Sequence, residues 1–241
     1  MKYFPKIITL VLAHCLALIS MKGEERPTPL VGFMFSSDEW RDGQNVVPKY
    51  GFYQLFPGGT NGISPVSPIS ENHTWAKCGG TYVDNKYYCY NVEGTWTQYT
   101  LTYTVLDATS WTVLKTQSWT YKYSQSDSEE SQKARYVPSA VGYDPASDKL
   151  YAFTHRFANS DDGQMAVIDR ETGELSKVAD TRFVSATACG ADGQIFAIGL
   201  DGNLYKVSAS GEFTLVGHTG YYPTRDAETN CGAAIDFRTG Q

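Results

Sequence analysis

The chain has 241 residues, of which 41% are hydrophobic, 14% aromatic and 19% charged, a globular composition that excludes an intrinsically disordered protein. Its net charge of −6 leaves no basic footprint, so nucleic acid is set aside as a partner. Seventeen Tyr and 22 Gly among few charges suit many short strands joined by tight turns.

The N-terminus reads as a targeting segment. Lys2 and Lys6 precede an apolar run from Ile7 to Ile19, followed by the polar stretch Lys22-Gly23-Glu24-Glu25. The run is shorter than the about 20 residues that a membrane-spanning helix needs. A basic start, a short apolar core and a polar sequel are the pattern of a secretory signal peptide, placed at residues 1–23, with no transmembrane span. The expected location is outside the cytoplasm: secreted, periplasmic or at the cell surface. Cys15 follows Leu12-Ala13-His14, which approaches a lipoprotein box, but His is a poor fit before the Cys. Beyond the signal stand Cys78, Cys89, Cys189 and Cys231, for which three pairings are open. Cys89 alternates with aromatics and reads as a small buried thiol.

Residues 24–241 read as one domain. Leu30–Phe35 and Gly51–Phe56 resemble the last two strands, C and D, of a four-stranded unit. A repeat then begins. Gly80-Thr81-Tyr82-Val83-Asp84, Ala140-Val141-Gly142-Tyr143-Asp144, Ala188-Cys189-Gly190-Ala191-Asp192 and Ala233-Ala234-Ile235-Asp236 each write a short strand ending in Asp. The first three run on into Lys86-Tyr87-Tyr88, Lys149-Leu150-Tyr151 and Gln194-Ile195-Phe196. Each complete unit parses into four strands. The first has A at Cys78–Asp84, B at Lys86–Val92, C at Thr97–Asp107 and D at Trp111–Trp119. In the second they are Ser139–Asp144, Lys149–Phe157, Gln164–Asp169 and Leu175–Ala179. In the third they are Thr187–Gly190, Gln194–Leu200, Asn203–Val207 and Phe213–His218. Asp, Ser and Gly close the C–D turns at Asp107–Ser110, Asp169–Glu174 and Ser208–Glu212, and Asp201-Gly202-Asn203 is a hairpin signal.

The later A-strand aspartates recur at about 45–50 residues, the length of one four-stranded propeller blade. The first interval is stretched by the Ser-rich and acidic residues 121–136, which read as a solvated loop. The prediction is all-β: a β-propeller of four-stranded antiparallel blades, three complete, with partial blades at both ends. Residues 232–241 then begin a blade whose continuation is missing, so the chain is expected to be a fragment or a truncated product. Small residues along the A strands (Gly79, Gly80, Ala140, Gly142, Ala188, Gly190) predict close packing there rather than catalysis.

The turn Asp169-Arg170-Glu171-Thr172-Gly173-Glu174 resembles the outer turn of quinoprotein-type and YVTN-type propellers. Residues Ala188–Ala197, then Asp201–Val207 and Asn230–Gln241, resemble blades of secreted bacterial propeller proteins, and the resemblance covers roughly residues 30–241. It implies the fold and export but no activity, since propellers host many functions. The cofactor-stacking Trp, metal-binding carboxylates and vicinal cysteines of the quinoprotein enzymes have no counterpart here.

Chemistry-bearing motifs are sparse. His14, His73, His155 and His218 form no zinc pattern, and there is no nucleophile elbow or P-loop, so no catalytic residue, metal or cofactor is assigned. Asn159-Ser160-Asp161-Asp162-Gly163 lacks the alternation and distal Glu of a calcium loop and reads as a solvated turn. His155 and Arg156 read as a partly exposed strand-end pair, and His218 as a turn residue. Asn72-His73-Thr74 is a glycosylation sequon. Tyr221-Tyr222-Pro223-Thr224-Arg225 follows a D strand, on a connection that crosses one face of the ring. With Lys49-Tyr50 and Trp75 it supplies aromatics for stacking. The binding candidates are therefore Trp75, Tyr221, Tyr222, Arg225, His155 and Arg156. The expected function is an exported or cell-envelope binding module for a glycan or protein. The alternative is a propeller enzyme, a polysaccharide lyase or hydrolase, acting on an extracellular polymer.

Overall fold

The computed structural model describes residues 30–35, 50–55, 63–70, 72–95, 98–122, 136–156 and 162–220. Two compact units emerge, a smaller one of residues 1–31 and 54–64 and a larger one of residues 32–53 and 65–241. In the smaller unit the Gln54 side chain donates to Ser64 Oγ at 3.1 Å. The strands β1 (Leu30–Phe35), β2 (Tyr50–Leu55) and β3 (Ile63–Pro65) form a three-stranded sheet in that order. The sequence had suggested a pair; β3 is the strand it did not reveal, too short for a readable alternation.

Three four-stranded antiparallel sheets follow, all in the larger unit, and no helix occurs among the described residues. Blade one is β4 (Gly80–Val83), β5 (Lys86–Thr95), β6 (Gln98–Asp107) and β7 (Val113–Lys122). Blade two is β8 (Tyr136–Asp144), β9 (Lys149–Arg156), β10 (Asp162–Ile168) and β11 (Leu175–Arg182). Blade three is β12 (Val184–Cys189), β13 (Ile195–Gly199), β14 (Asn203–Val207) and β15 (Phe213–His218). Strands pair strictly in sequence order within each sheet. The predicted three complete blades are therefore present; the predicted C-terminal partial blade lies outside the described residues.

A blade is a sheet with two faces to bury, so its middle strands are apolar on both sides rather than alternating. In β5, Tyr88 and Tyr90 join a core with Val141, Leu150 and Ile168 of blade two. Cys89 and the half-buried Tyr87 face the other way, with Phe52, Leu106 and Trp111. Phe153 and Met165 of blade two likewise pack with Ile195, Ala197 and Val207 of blade three.

First strands lie side by side: β4 against β8, and β8 against β12. Small residues permit this. A Cβ on Gly79 would sit 3.3 Å from Ala140 Cα, and one on Gly142 would sit 3.1 Å from Thr187 Cγ2. Ser139 Oγ donates to the Val184 carbonyl at 2.6 Å, tying β8 to β12.

The C–D turns add a second inter-blade joint. Gly173 (φ +76°) presses on the Tyr103 ring of blade one, and its carbonyl accepts the Tyr90 hydroxyl at 2.7 Å. Gly211 (φ +85°) stands in the same place of blade three, against Ala179 and Met165 of blade two. Blade one puts Trp111 there, at φ 56°, with its indole stacked 4.1 Å from the Phe52 ring. Trp111 was expected to open a strand. The structure keeps it in the turn, and β7 starts at Val113.

Candidate functional site

Antiparallel pairing gives each blade two ends. At the leading end the first strand starts, the B–C hairpin turns and the connection from the preceding blade arrives. The trailing end carries the A–B and C–D turns.

The trailing end is closed by its own side chains. Asp107 Oδ1 accepts the backbone N–H groups of Thr109 and Ser110, and Asp169 Oδ1 those of Glu171 and Thr172. These bonds hold both carboxyls below the usual carboxylate range. Asp144 is buried and accepts from Ala146 N and Ser147 Oγ. A shallow groove of about 420 Å³ runs beside Asp192, Gln194, Lys206, Ser208 and Glu212 of blade three, without converging catalytic groups. Asp144 and Asp192 of the repeat, which accept from Ala146 N and Gln194 N, are thus turn closers.

At the leading end of blade one, Thr74 and Trp75 precede β4, while Asn91 and Glu93 end β5. The Asn91 amide donates to Thr74 Oγ1 (3.0 Å) and to Glu93 Oε1 (2.9 Å), and Thr74 Oγ1 donates to Glu93 Oε1 (3.1 Å). Asn91 is 6% exposed, and among the described residues its Oδ1 has no partner. An unsatisfied buried acceptor costs about 1–3 kcal/mol. Trp75 is half-buried against the Phe52–Leu106 cluster, and the His73 ring stacks on it at 4.1 Å and 20°. The His73 Nδ1–H donates to the Pro68 carbonyl at 3.0 Å, which holds that ring in place.

His155 ends β9 at the leading end of blade two, opposite Gly163 and Val137. It is partly exposed, yet its ring is largely withdrawn from water, and this burial pushes its pKa down to about 4, leaving the ring neutral at pH 7. Phe183, in the short connection to β12, lies across it at 5.0 Å, and among the described residues His155 Nδ1 has no partner. Arg156 pairs through its backbone with Tyr136.

Blade three's leading end is saturated. Arg182 donates to Asp201 Oδ2 (3.1 Å) and Tyr205 OH (2.6 Å), with its guanidinium 4.7 Å from the Tyr205 ring centre. Tyr205 OH and Asn203 Nδ2 also donate to Asp201. Burial alone would raise the Asp201 pKa, but these donors and Arg182 hold it low. The cluster joins β11 to β14 and is an inter-blade tie. His218 is the exposed last residue of β15, not a turn residue, and its Nδ1 accepts from Gly220 N at 2.9 Å.

Of the six predicted binding residues, Trp75 and His155 stand at the leading ends of adjacent blades. Arg156 is described only through its backbone, and Tyr221, Tyr222 and Arg225 lie outside the described residues. The Thr74–Asn91–Glu93 set was not foreseen, although Asn91 and Glu93 are the first polar residues after Lys86 in an otherwise aromatic strand. Among the described residues no three His, Cys, Asp or Glu side chains group to hold a metal, and Cys78, Cys89 and Cys189 are buried free thiols.

The class is a β-propeller, defined by radially repeated four-stranded sheets whose first strands adjoin. No family profile matches the chain, and no curated protein matches it in sequence. Among solved structures it is similar to an oligogalacturonate lyase in complex with manganese, at TM-score 0.41 and 11% identity, covering 83% of this chain and 53% of that one. It is also similar to the Cps50 (Swd1) β-propeller domain of Myceliophteria thermophila, at TM-score 0.34 and 11% identity, covering 70% and 66%. A candidate 6-phosphogluconolactonase of Bacteroides uniformis matches at TM-score 0.36 and 10% identity, covering 83% and 69%. The chain thus spans about half the length of the lyase it matches.

Proposed function

We propose that this chain is an exported or cell-envelope propeller, with blades of the secreted quinoprotein-like and YVTN-like kind, that binds a glycan through its leading end and performs no chemistry. The observation that carries the reading is the His73–Trp75 stack beside Thr74, Asn91 and Glu93. An indole offers a flat apolar surface for the C–H face of a sugar ring. The exposed Glu93 carboxylate beside it offers acceptors to the sugar's hydroxyls. Tyr221, Tyr222, Arg225, His155 and Arg156 belong in this reading to the same end, where they widen the surface to a polymer or a glycosylated protein.

The test is a glycan array on the full chain, followed by titration of the strongest ligand. Trp75→Ala should weaken binding by roughly 30-fold, the loss of about 2 kcal/mol typical of an aromatic anchor. Tyr82→Ala, on an exposed side chain near the trailing end, should leave it unchanged. Equal binding by wild type and Trp75→Ala would sink the proposal. The enzymatic alternative, a lyase or hydrolase of an extracellular polymer, has one observation in its favour, the neutral His155 ring with its unengaged Nδ1. Turnover in a polymer-degradation screen, abolished in His155→Gln, would replace the binding-only reading.

A further inference from the structure

The polar surface beside Trp75 continues across the sheet of blade one. Cys89, Asn91 and Glu93 alternate onto the face against which Trp75 packs. Strand pairing sets Glu93, Thr100 and Thr120 in one cross-strand row on that face, and Asn91, Thr102 and Ser118 in the next. The Thr100 and Thr120 hydroxyls lie 3.1 Å apart, and those of Thr102 and Ser118 lie 3.0 Å apart. Ser118 and Thr120 are exposed, and Thr100 and Thr102 are half-buried. The opposite face holds these strands in place: Tyr99 and Leu101 are buried, and the Tyr99 and Tyr121 rings lie 5.3 Å apart. Blade two is built differently. It has Gln164 and Asp180 where blade one has Thr102 and Ser118, and there Lys177 neutralises Asp180 at 2.7 Å.

We propose that the paired hydroxyls extend the glycan site, so that an uncharged, unbranched oligosaccharide lies across blade one from Trp75 towards β7. This rests on the glycan-binding reading above and adds the class of glycan and its direction. In each pair one hydroxyl donates to the other, which leaves one O–H and several lone pairs for a ligand. Groups that both donate and accept suit sugar hydroxyls, which do the same. The span from β5 to β7 is about 10 Å, in two steps of about 4.8 Å. Each step is close to the advance of one sugar in an extended chain, so two sugars follow the one at Trp75. Glu93 is the only ionised group among the six residues of the two rows, and the chain carries a net charge of −6. Both disfavour an acidic polymer.

Calorimetric titration of the full chain tests this with cello-, xylo- and chito-oligosaccharides of one to four sugars, beside the trisaccharide of galacturonic acid. At least one neutral series should bind, with affinity rising on the order of 10-fold from one sugar to three as the hydroxyl pairs are engaged. The double variant Thr102→Val/Thr120→Val breaks both pairs and keeps β-branched side chains in the strands. It should lose the gain with length and keep the affinity for the single sugar. Thr102→Ser/Thr120→Ser, which restores the hydroxyls, should regain it. Gln117→Ala, at an exposed residue on the other face of β7, should behave as wild type. A length gain that survives in the Val variant would overturn the extension and leave the Trp75 site standing, as would tighter binding of the acidic trisaccharide or binding of no neutral series. Unchanged binding in Trp75→Ala would remove both.

Discussion

Gly173→Ala probes the joint between blades one and two. Gly173 has a φ of +76°, and a Cβ there would stand 2.4 Å from both Cγ and Cδ1 of Tyr103. The ring cannot swing aside: Tyr103 is 0% exposed and its hydroxyl donates to the Arg170 carbonyl at 2.9 Å. Placing Ala in the left-handed region costs about 1 kcal/mol, the overpacking about 1–3 kcal/mol, and displacing the turn from the Tyr90 hydroxyl about 1 kcal/mol. The sum, about 3–5 kcal/mol, lowers Tm by about 10 °C or more in a domain of this size. Gly220→Ala is the internal standard. Its φ is +80°, but among the described residues no atom lies within 4 Å of the new methyl. Only the backbone cost applies, so Tm falls by about 3 °C. Thermal unfolding followed by far-UV circular dichroism compares the two. Equal losses would refute the argument that the turn is wedged against Tyr103.

Two further outcomes follow from single residues. Trp111 occupies with φ 56° the position that is Gly in the other two blades, so Trp111→Gly should be more stable than Trp111→Ala by about 1 kcal/mol, reversing the usual order. Both should be less stable than wild type by about 3 kcal/mol or more because the Phe52 stack is lost; urea unfolding measures both, and an Ala variant at least as stable as the Gly variant would count against the strain. Burial lowers the His155 pKa from 6.5 to about 4, so on acidification the unfolded chain gains this proton before the native state does. The stabilisation is present above pH 6.5 and is lost as pH falls towards 4, up to about 3 kcal/mol, and Tm against pH should be flatter across that window in His155→Gln. Parallel profiles would mean that His155 does not stay neutral in the fold.

The repeat was legible because blade chemistry is local. Asp at the end of a first strand, Gly or Ser in the C–D turn and aromatics between them need only their neighbours in sequence. The strand bounds follow: the expected D strand from Phe213 to His218 is β15, and the expected C strand from Asn203 to Val207 is β14. Trp111 misled because a large aromatic next to a β-branched residue looks like a strand, whereas its φ answers to Phe52, far away in sequence. The desolvation of the His155 ring was not legible for a related reason. Its burial comes from Phe183 of the following connection, and no local pattern encodes that contact. Trp75 could be named as an aromatic outside the strands, but its partners Asn91 and Glu93 approach only when β5 returns alongside the segment leading into β4.

By itself, then, the amino-acid sequence determined an all-β chain, the number of complete four-stranded units and the residues that close their turns. Each of these depends on backbone preferences and short-range hydrogen bonds. Tertiary structure alone decided which buried polar atoms lack a partner among the described residues, Asn91 Oδ1 and His155 Nδ1, and how deeply each blade buries its neighbour's aromatics. Those properties belong to the contact of one blade with the next, and burial is fixed only when distant segments meet.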